Sequence, residues 1–209
     1  VAGMGRDCTV YCKRFDNYVE SFDKHNSGGK ADHMKVAGRI KNEITIHSGY
    51  SVSIDTIGEG AGVYSRAVEI CQESNGKLDE ETIISCKYSE GAKTSSGKDL
   101  TDITGQYTFA NMRAYLFWAV RDWLNPDNNT GAMLPPGGSF MEEATEIKWS
   151  FLSNGKIIIE PKEDIKERLG HSIDEFDALA NTFHPKAVEM TGVNALPNYG
   201  DEDIDDILY

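Results

Sequence analysis

Tyr50-Ser-Val-Ser-Ile-Asp55 alternates side chains at period two, ends on an acid, and is followed at once by the glycine-rich turn Ile57-Gly-Glu-Gly-Ala-Gly62. A helix-forming stretch from about Val63 to Asn75 comes next. A strand that feeds through glycines into a helix commits the chain to α/β layering, because the helix must bury its apolar stripe on the sheet. It also leaves the Asp55 carboxylate at the C-terminal end of a strand. Strand, glycine turn and helix is the plan of a phosphate cradle, but Gly58, Gly60 and Gly62 do not follow the G-x-G-x-x-G order. Gly97-Lys98 lacks the upstream glycine of a P-loop, so no ATP site is read here. The glycines either let backbone pass close to the Asp55 carboxylate or a substrate strand, or make only a tight connection.

Around this unit the sequence predicts a hairpin from Cys8–Phe15, the turn Asp16-Asn17 and a return strand Tyr18–Phe22. Val1–Asp7 reads as a loop leaving a strand that would precede Val1. Helical periodicity runs from His33 to Ile46 through Met34, Ala37, Ile40, Lys41 and Ile44. Ile83–Tyr88 reads as a short strand, and Ser89–Thr104 as a polar, mobile stretch. Lys87, Lys93 and Lys98 make that stretch either a DNA-facing loop or a solvated excursion. Asn111–Leu124 is a helix with Met112, Tyr115, Leu116, Ala119 and Trp123 on its stripe. Phe140–Ala144 is a short helix, and Asn154-Gly155 joins the strands Thr145–Leu152 and Lys156–Glu160 into a hairpin. Pro161 opens a charged helix ending near Leu169.

The last structured stretch is His171–Phe183. Ser172 and Glu175 stand at capping-box spacing, and Phe176, Leu179, Ala180 and Phe183 fall on one helical stripe. Asp174 and Asp177, three apart, share one side of the opening turns. Two carboxylates there either hold a divalent metal or only complement the helix dipole. His184-Pro185 stops the helix, and residues from about Thr191 onward read as a flexible tail. Its end, Ile204–Tyr209, either docks on a partner or stays solvated. The expected organisation is one domain over 1–190 and an acidic tail over 191–209.

Net charge limits how a polyanion could be held: by a local groove, by metal ions, or with partners that bring it in. The chain of 209 residues carries −13, and five of those charges come from Asp201, Glu202, Asp203, Asp205 and Asp206. Eight remain on the preceding 200 residues, so no broad basic face exists to hold a polyanion unaided. With 39% hydrophobic residues and no membrane-length apolar run, a soluble protein with a sizeable core is expected. Cys8, Cys12, Cys71 and Cys86 have no zinc-site spacing and read as reduced thiols on buried faces. The five histidines likewise lack zinc spacing, although His171 lies near Asp174 and is either a DNA contact or a plain loop residue.

Three segments carry a resemblance. Ser53–Gly62 around Asp55, Asn111-Met-Arg-Ala114, and Ile159–Phe183 with its Asp174-x-x-Asp177-Ala-Leu core are similar to the C-terminal nuclease domain of tailed-phage terminase large subunits. The likeness runs from Val1 to about Phe183, and the Asp-x-x-Asp-Ala-Leu core is shared with Holliday-junction resolvases. It implies an RNase H-like α/β fold, in which a mixed central sheet of antiparallel hairpin strands and parallel strands is flanked by helices. It implies a Mg²⁺- or Mn²⁺-dependent endonuclease using two ions to cut concatemeric double-stranded viral DNA during genome packaging. Asp55 and Asp177 would be catalytic and bind metal, with Asp174 assisting. The first family aspartate would fall immediately before Val1, since Ala2, Gly5 and Asp7 match the positions after it. Asp7 would either support the metal cluster or stabilise its turn; Lys162 would either reach the scissile phosphate or be a surface lysine. The implied partners are DNA, an ATPase domain that lies outside this sequence, a portal and a small terminase subunit, with no membrane, in the host cytoplasm. A junction resolvase, or a non-catalytic docking module for portal or capsid, are the alternatives.

Overall fold

In the computed structural model, residues 8–26, 32–47 and 49–191 are described. The first hairpin forms where the sequence reads it, with a return strand four residues longer than expected: β1 (Cys8–Phe15) turns at Asp16, whose φ of 53° is left-handed, into β2 (Tyr18–Asn26). α1 (His33–Ile46) follows, capped by the Asp32 side chain on the Lys35 N–H. It buries Ala37, Ile40 and Ile44, while Met34, expected on that stripe, is 62% exposed.

β3 (Val52–Asp55) and β4 (Ile83–Cys86) are parallel, paired from Val52 with Ile83 to Asp55 with Cys86. Parallel neighbours require a crossover, supplied by α2 (Gly60–Glu73), which starts three residues earlier than the sequence predicts. α1, α2, β3 and β4 share a core of Ile40, Ile44, Ile54, Val63, Ala67, Cys71 and Ile83.

The larger core surrounds α3 (Met112–Leu124), capped by the Asn111 side chain on the Ala114 N–H. Leu116, Phe117, Ala119, Val120 and Trp123 are all buried, so this helix is covered on nearly every side. The segment between β4 and α3 is not a mobile excursion: Ala92 is buried, and the Asp102 carboxylate accepts N–H groups of Thr104, Gln106 and Tyr107. Lys87 pairs with Glu90 and Lys93 with Asp99.

α4 (Phe140–Glu146) leads to the antiparallel pair β5 (Trp149–Phe151) and β6 (Ile157–Ile159), joined through Asn154-Gly155 as expected. α5 (Lys162–Leu169) ends on left-handed Gly170. α6 (Asp174–Asn181) buries Phe176, Leu179 and Ala180, with Phe183 buried just beyond it. Pro185 stops α6 and opens a further helix, α7 (Pro185–Thr191), that the sequence reading missed; proline is well suited to a first helical turn. The expected tail beyond Thr191 lies outside the described residues. None of the described helices is long and apolar enough to cross a membrane.

The capping box expected from Ser172 and Glu175 is not formed: Ile173 is the N-cap and gives no side-chain bond. Buried Glu143 of α4 does that work, its Oε2 accepting the Phe176 N–H at 2.8 Å and its Oε1 the Ser139 hydroxyl at 2.5 Å. Glu175 is also buried and turns away, accepting the Ser139 N–H at 2.8 Å and pairing with Lys24 of β2 at 2.8 Å. Gly138, at φ 77°, is required beneath it, since a Cβ there would lie 2.8 Å from Glu175 Oε2. Burial raises the Glu143 carboxyl above its ordinary range, against the Ser139 and Phe176 donors that lower it. We expect Glu143→Leu to lower the unfolding free energy by about 1–3 kcal/mol, because it orphans a buried N–H. Glu143→Gln keeps an acceptor and should retain most of the stability in urea denaturation.

Candidate metal and phosphate site

β3 and β4 present Asp55 and Cys86 side by side at their C-terminal ends, and the Thr56 N–H donates to the Cys86 carbonyl at 3.0 Å. Asp55 Oδ1 accepts the Ile57 N–H at 3.1 Å, which closes the turn into α2. One of the glycines read as permitting close approach does so: a Cβ on Gly60 would lie 1.7 Å from the Asp55 carbonyl oxygen. What passes Asp55 is thus its own chain, against the carbonyl rather than the carboxylate. Gly60→Ala must push α2 off the end of β3; we expect a lowered thermal midpoint and shifted Asp55 and Thr56 amide resonances.

Asp177 arrives from the first turn of α6 and is 14% exposed at its side chain. Lys162, at the start of α5, puts Nζ 2.5 Å from its Oδ2. The Tyr88 hydroxyl lies 3.2 Å from both Oδ1 and the carbonyl oxygen of Asp177. Arg113 of α3 anchors Nη1 on the Glu160 carbonyl at 2.6 Å, lays its guanidinium 4.7 Å from the centroid of the Phe117 ring, and adds positive charge near Asp177. Asp55 is close enough to repel the Asp177 charge.

These groups shift one another. Burial raises the Asp177 carboxyl; Lys162 and then Arg113 pull it back, and Asp55 pushes it up again. Burial works against the Lys162 ammonium, but the attraction of Asp177, with Asp55 behind it, prevails and raises its pKa. Burial and the Asp177 charge raise the Tyr88 phenol well above its ordinary value, so Tyr88 donates throughout the physiological range.

Asp174 is in the same turn but is not brought into this group. Its Oδ2 accepts the Cys8 N–H at 3.2 Å, which fastens the start of β1 to α6. No three His, Cys, Asp or Glu side chains converge as a metal cluster among the described residues. Asp7 lies outside the described residues. His171 faces α4, with Nε2 3.9 Å from Glu142. Tyr88 and Arg113 were not legible as site residues: Arg113 lies within a recognised motif, but nothing in its spacing gives it a role, and Tyr88 carries no local signal.

A fold with an acid-tipped parallel strand and an acid-opened late helix has counterparts among solved structures. The nuclease domain of the large terminase subunit gp2 of bacterial virus Sf6 superposes with a TM-score of 0.63 at 22% identity, covering 88% of this chain and 84% of that one. The fold is RNase H-like, the fold of that nuclease domain. A lysine-to-alanine variant of the same phage protein with calcium gives 0.62 at 22% identity, over 88% and 85% of the two chains. The variant with manganese gives 0.59 at 22% identity, over 84% and 82%. No protein-family model and no curated protein matches the sequence.

The donor set fits a hard divalent cation in part: two carboxylates from separate elements, with an ammonium already seated where a cation on Asp177 would be. Removing that ammonium tests the electrostatics. Because the Asp177 pKa is raised in the fold, its ionisation costs stability progressively as pH climbs above the ordinary carboxyl range. Lys162→Met enlarges this cost, so its thermal midpoint should trail the parent's at pH 8 and approach it near pH 4.

Proposed function

We propose that this chain is the metal-dependent endonuclease domain of a viral DNA-packaging terminase, cutting concatemeric double-stranded DNA. What supports this reading is that Asp55, at a strand end, and Asp177, at a helix start, lie near enough to repel each other on an RNase H-like fold. In this reading both acids are catalytic and hold Mg²⁺ or Mn²⁺, two ions when the site is complete. Such ions, when bound, neutralise charge on the phosphorane-like state and supply hydroxide near neutral pH. Asp174 assists from the first turn of α6 by fixing β1, and Asp7, outside the described residues, supports the cluster.

The remaining roles fall to this chain's own cations and donors. Tyr88 fixes the rotamer of Asp177 through its hydroxyl. Arg113 supplies a buried positive charge that stays when Lys162 leaves. Lys162, released from Asp177 by a competing cation, is long enough to turn its ammonium to the scissile phosphate. The acidity of the chain suits a domain to which DNA is delivered, by an ATPase domain working with a portal and a small subunit in the host cytoplasm.

The test is plasmid nicking with Mn²⁺. Asp55→Asn and Asp177→Asn should abolish nicking, as should chelator, and Tyr88→Phe, which loosens a ligand rather than removing it, should cost about 10–100-fold. Undiminished nicking by Asp177→Asn would overturn the assignment. Preference for four-way junctions over linear duplex would redirect it to a resolvase.

A further inference from the structure

Glu160 is gripped by two arginines. Its carbonyl oxygen accepts Arg113 Nη1 at 2.6 Å, from the guanidinium whose charge acts on Asp177. Its carboxylate is forked by Arg168, with Nη1 2.8 Å from Oε2 and Nη2 2.5 Å from Oε1. Oε1 also accepts the Lys148 N–H at 2.7 Å, and the Glu160 N–H donates to the Lys148 carbonyl at 3.1 Å. Glu160 thus spends its N–H, its carbonyl and both carboxylate oxygens on neighbours, and it stands two residues ahead of Lys162.

Arg168 reaches Glu160 from the last turn of α5, at the opposite end of that helix from Lys162. Its Nε donates to Glu146 Oε2 at 3.3 Å, Nη2 also to the Glu146 carbonyl at 2.5 Å, and Nη1 also to the Asp164 carbonyl at 3.3 Å. All five N–H donors of the guanidinium are taken, which leaves none for a phosphate. One side chain therefore joins the end of α5 to the end of α4 and to the residue that follows β6. α5 depends on such a tie, because a helix of eight residues is too short to hold unaided and Ile165 is its one buried side chain. Single surface ion pairs contribute little, but a bidentate fork within a network is the exception. We infer that Arg168 is a positioning residue for the proposed reaction: through Glu160 it sets the stations of Arg113 and Lys162, the two cations that answer Asp177. Once Lys162 has left Asp177, the fork still holds the root of its side chain.

This role rests on those proposed for Lys162 and Asp177, so its test pairs plasmid nicking with a readout that needs neither DNA nor metal. Lys162 Nζ lies 5.5 Å from the centroid of the Tyr88 ring, which gives the adjoining methylene protons a ring-current shift in NMR spectra. Arg168→Met should lower kcat for Mn²⁺-dependent nicking about 10–100-fold at an unchanged KM, and should move the Lys162 methylene resonances toward those of an exposed lysine. Glu160→Gln should act in the same direction, and the double variant should be no worse than Arg168→Met, since both remove one contact. Arg168→Lys keeps the charge without the fork and should stay impaired; it also supplies both readouts if Arg168→Met does not fold. A raised KM in Arg168→Met with a lowered KM in Glu160→Gln would make Arg168 a DNA contact and overturn the inference. So would a lowered thermal midpoint with the Lys162 resonances of the folded variants left in place, the mark of a merely structural tie. A parent that nicks nothing overturns the nuclease reading, whereas resonances that do not move overturn the clamp.

Discussion

A carboxylate held mostly out of water must be answered by donors and cations, and Asp177 gathers them from the far corners of the chain. Tyr88 follows β4, Arg113 opens α3, and Lys162 opens α5. Each reaches Asp177 only if its own element is correctly docked. The repulsion from Asp55 is tolerable for the same reason, since two nearby cations outweigh it. A protein selected for stability alone would place an apolar residue at position 177, because well-packed apolar groups commonly outperform buried ion pairs. The role proposed for Asp177 gives a reason for the expense of the arrangement.

That arrangement needs α6 to begin at a fixed point, and its start is set from outside. Glu143 of α4 binds the Phe176 N–H, Glu175 binds the Ser139 N–H and Lys24 of β2, and Asp174 binds the Cys8 N–H of β1. Three acids in or against one helical turn thus point at three different elements. Asp177 is left as the turn's acid facing the β3–β4 end. Helix-dipole complementarity is real here but secondary: these carboxylates are fixed by named donors, and their directions differ.

Much of this was legible in the sequence where local pattern decides it. The bounds of β1 and α1, the Asn154-Gly155 hairpin, the strand ending at Asp55 and the buried stripe of Phe176, Leu179, Ala180 and Phe183 are set by periodicity and turn chemistry. The cap of α6 was misread because the Ser172 to Glu175 spacing is satisfied equally by a glutamate that a distant lysine has claimed. Asp174 was grouped with Asp177 because spacing of three puts both on one side of a helix, yet a few ångströms of β1 backbone redirected it. Tyr88 and Arg113 were invisible as site residues since their roles exist only after β4, α3 and α6 meet. α7 was lost to the rule that proline ends helices, which here ends one and begins the next.

Split sheets and acid-lined sites constrain one another. Asp55 sits on the last residue of a four-residue strand paired on one edge only, with Gly60 packed against its carbonyl. So short a parallel pair holds its end loosely unless the second edge is paired as well. Asp177, by contrast, rides on a helix anchored at both ends, through Asp174 and Glu143 at its start and through Thr182, which binds Arg14, beyond its end. The two acids therefore differ in stiffness, and the positional uncertainty of any ion shared between them comes from the β3 side.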